Sequence, residues 1–301
     1  MNQLKKAYQI YSIITSLGML LVLLMGAVVT KTDSGDGCGN SWPLCYGQLL
    51  PSQPKLETII EVSHRAVSAW LGILVIVLAI WAWRREPHKK EIKILAGVSV
   101  FFIVLQGLLG AAAVIWSQSS AILASHFGFS LVSFASVLLL SILSFEDRDR
   151  PFVATVSDSF KKNIYWLFVY MYLVVYTGAL VRHTGSAMGC SDDFPLCNGS
   201  LLPEISKQAG IHLMHRTAAF ILFIWILYSW YHARKHYRDQ KVLNKGFQFA
   251  LLFIFLQAVS GVLIVISKLN LFVALSHGLI ISFLFGTLSY IALIVYRKKS
   301  S

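Results

Sequence analysis

Eight stretches of this chain are apolar enough and long enough to cross a lipid bilayer, and that restricts the fold before anything else is read. A hydrocarbon core of about 30 Å takes roughly 20 apolar residues in a helix. Such runs extend approximately over residues 10–29, 63–83, 94–115, 122–144, 163–181, 212–232, 247–267 and 272–296. With 56% hydrophobic and 13% charged residues among 301, the chain carries more apolar surface than a soluble domain buries, so lipid is its expected solvent. The expected class is an all-α integral membrane protein.

The eight runs are two sets of four. His64 and His126 stand 62 apart, His215 and His277 stand 62 apart, and the two pairs are offset by 151. Arg65, Gln106, Gly110 and Ser125 recur at the same offset as Arg216, Gln257, Gly261 and Ser276. Upstream, Gly26, Thr32, Ser34, Cys38, Pro43, Leu44 and Cys45 recur at 152 as Gly178, Thr184, Ser186, Cys190, Pro195, Leu196 and Cys197. This is a tandem duplication with one residue of slippage. An even number of spans per half makes the halves parallel, related by an axis near the membrane normal. The expected architecture is two tandem four-helix bundles in pseudo-two-fold relation, over residues 1–150 and 151–301.

Orientation follows from positive charge, which short cytoplasmic loops retain. Lys5, Lys6, Arg84, Arg85, Lys89, Lys90, Lys93, Arg148, Arg150, Lys161 and Lys162 fall on one face. Arg234, Lys235, Arg238, Lys241, Lys245, Arg297, Lys298 and Lys299 fall there too, so that face holds most of the 26 Lys and Arg and both termini. The net charge of +12 is therefore a topology signal with some attraction to anionic lipid, and gives nucleic-acid binding no support. The N-terminal run is full length with no evident cleavage site, and reads as a retained first helix.

Cys38 and Cys45 lie between runs 1 and 2, and Cys190 and Cys197 between runs 5 and 6, on the outer, oxidising side. Each pair is separated by seven residues with Pro and Gly nearby, which suits a small closed loop. Two disulfides are expected, Cys38–Cys45 and Cys190–Cys197. A zinc site and free thiols are the alternatives, though structural zinc usually takes shorter spacings.

The chain descends run 2 from His64 and returns through run 3 to His126, so both imidazoles end near one height at the outer surface. His215 and His277 repeat this. Each half can then aim two imidazoles at one point, the arrangement that grips a planar macrocycle from both faces. A single histidine at such a position is more often interfacial, but four in a duplicated frame reverse that preference. A di-metal carboxylate site lacks its Glu-x-x-His sets, and zinc lacks a third recurring ligand. His88, His232 and His236 sit among lysines and arginines and read as solvated, and His183 matches Lys31 and receives no ligand role.

Arg65 and Arg216 follow the first histidine of each pair, where a guanidinium reaches either a porphyrin propionate or a lipid phosphate. Gln106 and Gln257 are expected to face the interior, and Gly110 and Gly261 to allow close helix packing. The halves differ at Glu61, three residues before His64, where the second half has His212. A carboxylate there could accept a proton or stabilise a developing cation, or serve only as a loop or helix-cap partner.

Glu61-Val-Ser-His64-Arg65, Gly26-Ala-Val-Val-Thr-Lys-Thr, Trp42-Pro-Leu-Cys45 and Gln106-Gly-Leu-Leu-Gly110, with the second copy of the frame, resemble the haem A synthase family of bacterial and mitochondrial membrane enzymes. The resemblance spans essentially the whole chain, and cysteine pairs in both halves resemble the Gram-positive members. It implies conversion of haem O to haem A for terminal oxidases, by oxidation of the porphyrin C8 methyl to a formyl group. It further implies a haem b cofactor held by His215 and His277, a substrate site framed by His64 and His126, a functional Glu61 and a Cys38–Cys45 disulfide. Val62 stands where an aromatic is sometimes found. Haem O is then the substrate, lipid the surroundings and the cell membrane the location. A complex with a haem O synthase and a homo-oligomer are both left open. A di-haem b-type electron carrier and a haem transporter or chaperone are the rival functions. An electron carrier would place haems on both sides of the membrane, whereas all four histidines here fall on one.

Overall fold

The structure is a computed structural model and describes residues 2–116, 119–147, 151–191, 193, 195–201 and 207–297. Arg148, Arg150, Lys298 and Lys299 of the charge reading lie outside the described residues. Eight helices carry the described chain: α1 (Asn2–Lys31), α2 (Leu56–Arg85), α3 (Lys90–Ile115), α4 (Ser120–Phe145), α5 (Asp158–His183), α6 (Lys207–His236), α7 (Lys241–Ile266) and α8 (Leu271–Tyr296). All eight are long and apolar enough to span a membrane, and no strand occurs among the described residues. In lipid a spanning segment must satisfy its own backbone N–H and C=O groups, which a helix does and an open strand does not. The chain is a multi-pass membrane protein.

The helices outrun their apolar stretches. α1, α2 and α6 have 30 residues each, about 45 Å, so their charged ends continue past the hydrocarbon. Arg84 and Arg85 close α2, and Arg234, Lys235 and His236 close α6, where cations favour the helix C-terminus. α5 opens on Ser157, whose hydroxyl accepts from Phe160 N, and α8 on Asn270, whose Oδ1 accepts from Phe272 N.

The chain divides into two compact units, Met1–Phe145 and Glu146–Ser301. In the first, α1 packs on α2, α2 on α3, α3 on α4, and α4 back on α1. α4 is its most buried helix, with 72% of its apolar window covered against 22 to 28% for α1 to α3. It carries Ser130, Ser133, Ser136, Ser141 and Ser144, all buried. Small residues let helices approach closely, and the hydroxyls bond across. Ser12 Oγ donates to Ser141 Oγ at 3.2 Å, and Gln9 Nε2 donates to the Ser144 carbonyl at 3.0 Å.

In the second unit α5 packs on α6 and α8, and α7 on α6 and α8. Trp225 Nε1 donates to Asn163 Oδ1 at 2.8 Å, and Asn163 Nδ2 to Ser229 Oγ at 3.0 Å, joining α5 to α6. The segment before α5 is tied to α8: Ala154 N donates to Ile294 O at 2.9 Å, and Arg297 Nη1 donates to Phe152 O at 3.0 Å and to Glu146 at 2.9 Å. His232, expected in solvent, is half-buried, its ring 4.6 Å from that of Phe160 and 4.5 Å from that of His236. The expectation weighed the neighbouring charges and missed the aromatic ring that α5 supplies.

The two cysteine loops fold alike. A one-turn 3-10 segment follows α1 (Ser34–Asp36) and α5 (Ser186–Met188). Thr32 meets Ser34 at 2.6 Å, and Thr184 meets Ser186 at 2.7 Å. Tyr46-Gly47 and Asn198-Gly199 have φ of 52° and 79°, and 54° and 78°. Two consecutive left-handed residues are what a tight two-residue hairpin turn needs, so the glycine has a conformational reason. Cys38–Cys45 and Cys190–Cys197 stand at bonding distance, with Cα separations of 4.9 and 4.4 Å.

Candidate functional site

The four histidines sit where the fold closes on itself. Helix α2 begins at Leu56, so His64 occupies its third turn, deeper than a reading that starts the helix at residue 63. Glu57 and Glu61 interrupt the apolar run without interrupting the helix, which is why hydropathy starts it late. His215 lies at the same depth in α6, and His126 and His277 lie at a common depth in α4 and α8. In each unit both histidines are at the end where the odd helices finish and the even ones start.

Each imidazole is seated against a glycine of the preceding helix. A Cβ on Gly26 would lie 3.3 Å from His64 Cε1, and one on Gly178 would lie 3.0 Å from His215 Cε1. Gly110 and Gly261 bear the same relation to His126 and His277, at 3.3 and 3.4 Å. Gly110 and Gly261, expected to serve helix packing, leave room for two of the rings, and Gly26 and Gly178 do so for the other two.

Hydrogen bonds then orient the rings. Thr177 Oγ1 donates to Val174 O, so its oxygen accepts from His215 Nδ1–H at 2.8 Å. Ser260 Oγ donates to Gln257 O and accepts from His277 Nδ1–H at 2.8 Å. The Gln257 amide donates to His277 Nε2 at 2.8 Å, so that nitrogen carries the lone pair. His126 Nδ1–H donates to the Gln106 carbonyl at 2.8 Å. His64 differs, for its Nδ1 is buried without a partner. Three of the four rings thus keep Nε2 unprotonated, the form a transition metal binds. Gln257 bonds across helices as expected, whereas Gln106 acts on His126 through its backbone.

Behind each first histidine an arginine clasps the loop. Arg65 Nη1 donates to Ser41 O at 2.9 Å, and its Nη2 donates to Glu61 Oε1. Arg216 Nη2 donates to Asp193 O at 3.0 Å, and its Nη1 donates to Leu196 O at 2.9 Å. Most of each guanidinium is committed to the protein, a role that local sequence did not show because the loop carbonyls come from about 20 residues upstream. Arg65 Nε remains buried without a partner.

The carboxylate of Glu61, 3% exposed, accepts from Cys38 N at 2.8 Å through Oε2 and from Arg65 through Oε1. At the matching position His212, 5% exposed, accepts from Arg216 Nε at 3.2 Å and stays neutral by that bond. The first unit therefore pairs a carboxylate with its arginine on one helix, where the second pairs a neutral imidazole with its arginine. Thr177, Ser260, Gly26 and Gly178 join the site as residues to which the sequence reading gave no role. Their signal was there: each hydroxyl precedes a glycine of the duplicated frame.

Comparison with known proteins agrees over the whole length. The profile of the cytochrome oxidase assembly protein family, COX15-CtaA, matches residues 9–289. The chain belongs to the COX15-CtaA family. Within this family it is 46% identical to the heme A synthase of Halalkalibacterium halodurans, over 98% of this chain and 99% of that one. It is 49% identical to the heme A synthase of Geobacillus kaustophilus, over 95% and 90% of the two chains. With that of Bacillus cereus it shares 47% identity over 96% and 93%. The likeness to these COX15-CtaA proteins covers all eight helices and both cysteine loops.

Proposed function

We propose that this protein is a haem A synthase, an oxidoreductase that converts the C8 methyl of haem O to the formyl group of haem A for terminal oxidases. Near-full-length relatives of that name support the activity. The observation that carries the site reading is the seating of paired imidazoles at one end of each unit, three with the proton on Nδ1 and Nε2 unprotonated, that of His277 accepting from Gln257.

The residues fit an iron porphyrin. Glycine seats hold the rings in place, and the buried, unpartnered Arg65 Nε is a donor suited to a propionate. In this reading His215 and His277 would hold haem b in a C-terminal four-helix bundle, with Arg216 beside them. His64 and His126, with Arg65, frame the substrate haem O in an N-terminal bundle. When bound, haem b would supply one-electron exchange. Glu61 lies one turn before His64 on α2, and Arg65 and Cys38 N–H fix its carboxylate there. Its remaining lone pairs accept a proton leaving the substrate methyl or stabilise positive charge developing beside it. The histidine end and both disulfide loops face outward at the cell membrane, with the termini in the cytoplasm, as the Lys and Arg distribution directs.

The test is to express the chain together with a haem O synthase, which supplies the substrate, and to extract the pigments. Haem A is the expected product. Accumulation of unmodified haem O beside b-type haem would replace this reading with an electron carrier or a porphyrin chaperone.

A further inference from the structure

The two histidine pairs are not supported alike. In the second unit both Nδ1–H groups end on side-chain hydroxyls, of Thr177 and Ser260, each 2.8 Å away. Both hydroxyls have already given their own proton to a helix carbonyl, at 2.7 and 3.0 Å, so only one arrangement of hydrogens satisfies the network. Each stands one residue before a seat glycine, Gly178 or Gly261. In the first unit the residues before the seat glycines Gly26 and Gly110 are Met25 and Leu109, which accept no hydrogen bond of this kind. His126 falls back on the Gln106 carbonyl, and His64 Nδ1 is left buried and alone.

From this contrast we infer that Thr177 and Ser260 are positioning residues that make the C-terminal site retain its porphyrin, and that Met25, by leaving His64 unsupported, makes the N-terminal site release its own. The inference rests on the haem reading above and adds which residues separate a permanent cofactor from an exchanging substrate. Ligation through Nε2 requires the proton to sit on Nδ1. At His215 and His277 that proton meets an acceptor, which fixes ring plane and tautomer before the iron arrives and makes Nε2 a stronger base. At His64 ligation creates a buried N–H with nothing to receive it, and a buried unsatisfied donor weakens binding. The ring must also be frozen from more than one tautomer.

The experiment uses the full-length protein in detergent, loaded with haem, and follows transfer of porphyrin to excess apomyoglobin together with the midpoint potential and low-spin spectrum of the retained haem. Thr177→Val and Ser260→Ala are expected to speed loss of the slowly released haem by roughly 10- to 100-fold and to raise its potential, with Thr177→Ser restoring both. Met25→Thr, which offers His64 an acceptor, is expected to slow release from the fast site by about tenfold. Its gain of retention does not depend on a damaged variant. Wild-type protein that takes up no porphyrin would overturn the haem reading and this inference together. Normal uptake in two kinetic classes, with release unmoved by Thr177→Val and by Met25→Thr, would overturn this inference alone.

Discussion

The two cysteine loops are close copies in backbone, yet the helices beneath them hold them by different chemistry. In the first unit the loop is fastened by a charged chain: Cys38 N–H to Glu61, Glu61 to Arg65, and Arg65 to the Ser41 carbonyl. In the second, Arg216 reaches the loop carbonyls of Asp193 and Leu196, and on its own helix it bonds the neutral His212. A duplicated scaffold thus keeps its geometry while a carboxylate beside one histidine pair is replaced by a neutral imidazole beside the other. Backbone shape was set by turn residues and disulfides, which both halves share, whereas the helical partner of each arginine differs, Glu61 against His212.

The largest effects should come from the histidines. Replacing His215 or His277 with Ala is expected to abolish the tightly bound haem, seen as loss of the b-type signal in a reduced-minus-oxidised spectrum. Replacing His64 or His126 should leave that signal and stop turnover. Equal loss of retained haem from both pairs would erase the functional difference between the units.

Glu61→Gln tests the charge itself. It keeps the acceptor for Cys38 N–H but removes the negative charge, so haem b content should be unchanged while haem A formation falls by at least 100-fold, within the range general acid–base groups contribute. Full haem A formation in that variant would reduce Glu61 to a loop fastener and make the two units equivalent in chemistry.

A smaller effect separates the glycine seats. At Gly178 a methyl would stand 3.0 Å from His215 Cε1 and 3.4 Å from its Nε2, tighter than nearly all natural contacts. Gly178→Ala should displace the ring, destabilise by about 1–3 kcal/mol and lower retained haem. Gly26→Ala, at 3.3 Å from His64, asks the ring to give by only a few tenths of an ångström and should lower turnover a few-fold with retained haem intact. A larger loss of retained haem in Gly26→Ala would reverse the assignment of the sites.

How far the sequence could lead follows from the range of each interaction. Helices and the repeat were legible because hydropathy and spacing are summed over many residues. The four histidines were legible because the duplication repeats their spacing. Helix ends were not, since Leu56 to Ser63 is helical yet too polar to extend an apolar window. The clasp roles of Arg65 and Arg216 were hidden because their acceptors are backbone carbonyls in a distant loop. Thr177 and Ser260 were hidden for a different reason: the duplication marks residues shared by the halves, and these two differ between them.

The mildest prediction concerns the seat of the loop. Thr58 Oγ1 donates to Gly37 O at 2.7 Å, and Gly37 lies so close to α2 that an added Cβ would stand 2.7 Å from the backbone of Glu57 and Thr58. The matching contact in the second unit joins Gly189 to the backbone of Gln208 and Ala209, and Ala209, which has no side-chain hydroxyl, packs with Cys190 and Cys197. Thr58→Ala therefore makes the first seat resemble the second. Loss of one partly buried hydrogen bond should cost about 1 kcal/mol, read as a small drop in melting temperature. Because Cys38 N–H still reaches Glu61, haem A formation should fall less than twofold. A drop in activity as deep as that of Glu61→Gln would mean that the loop's exact seating, and not the carboxylate's charge, is what distinguishes the first unit from the second.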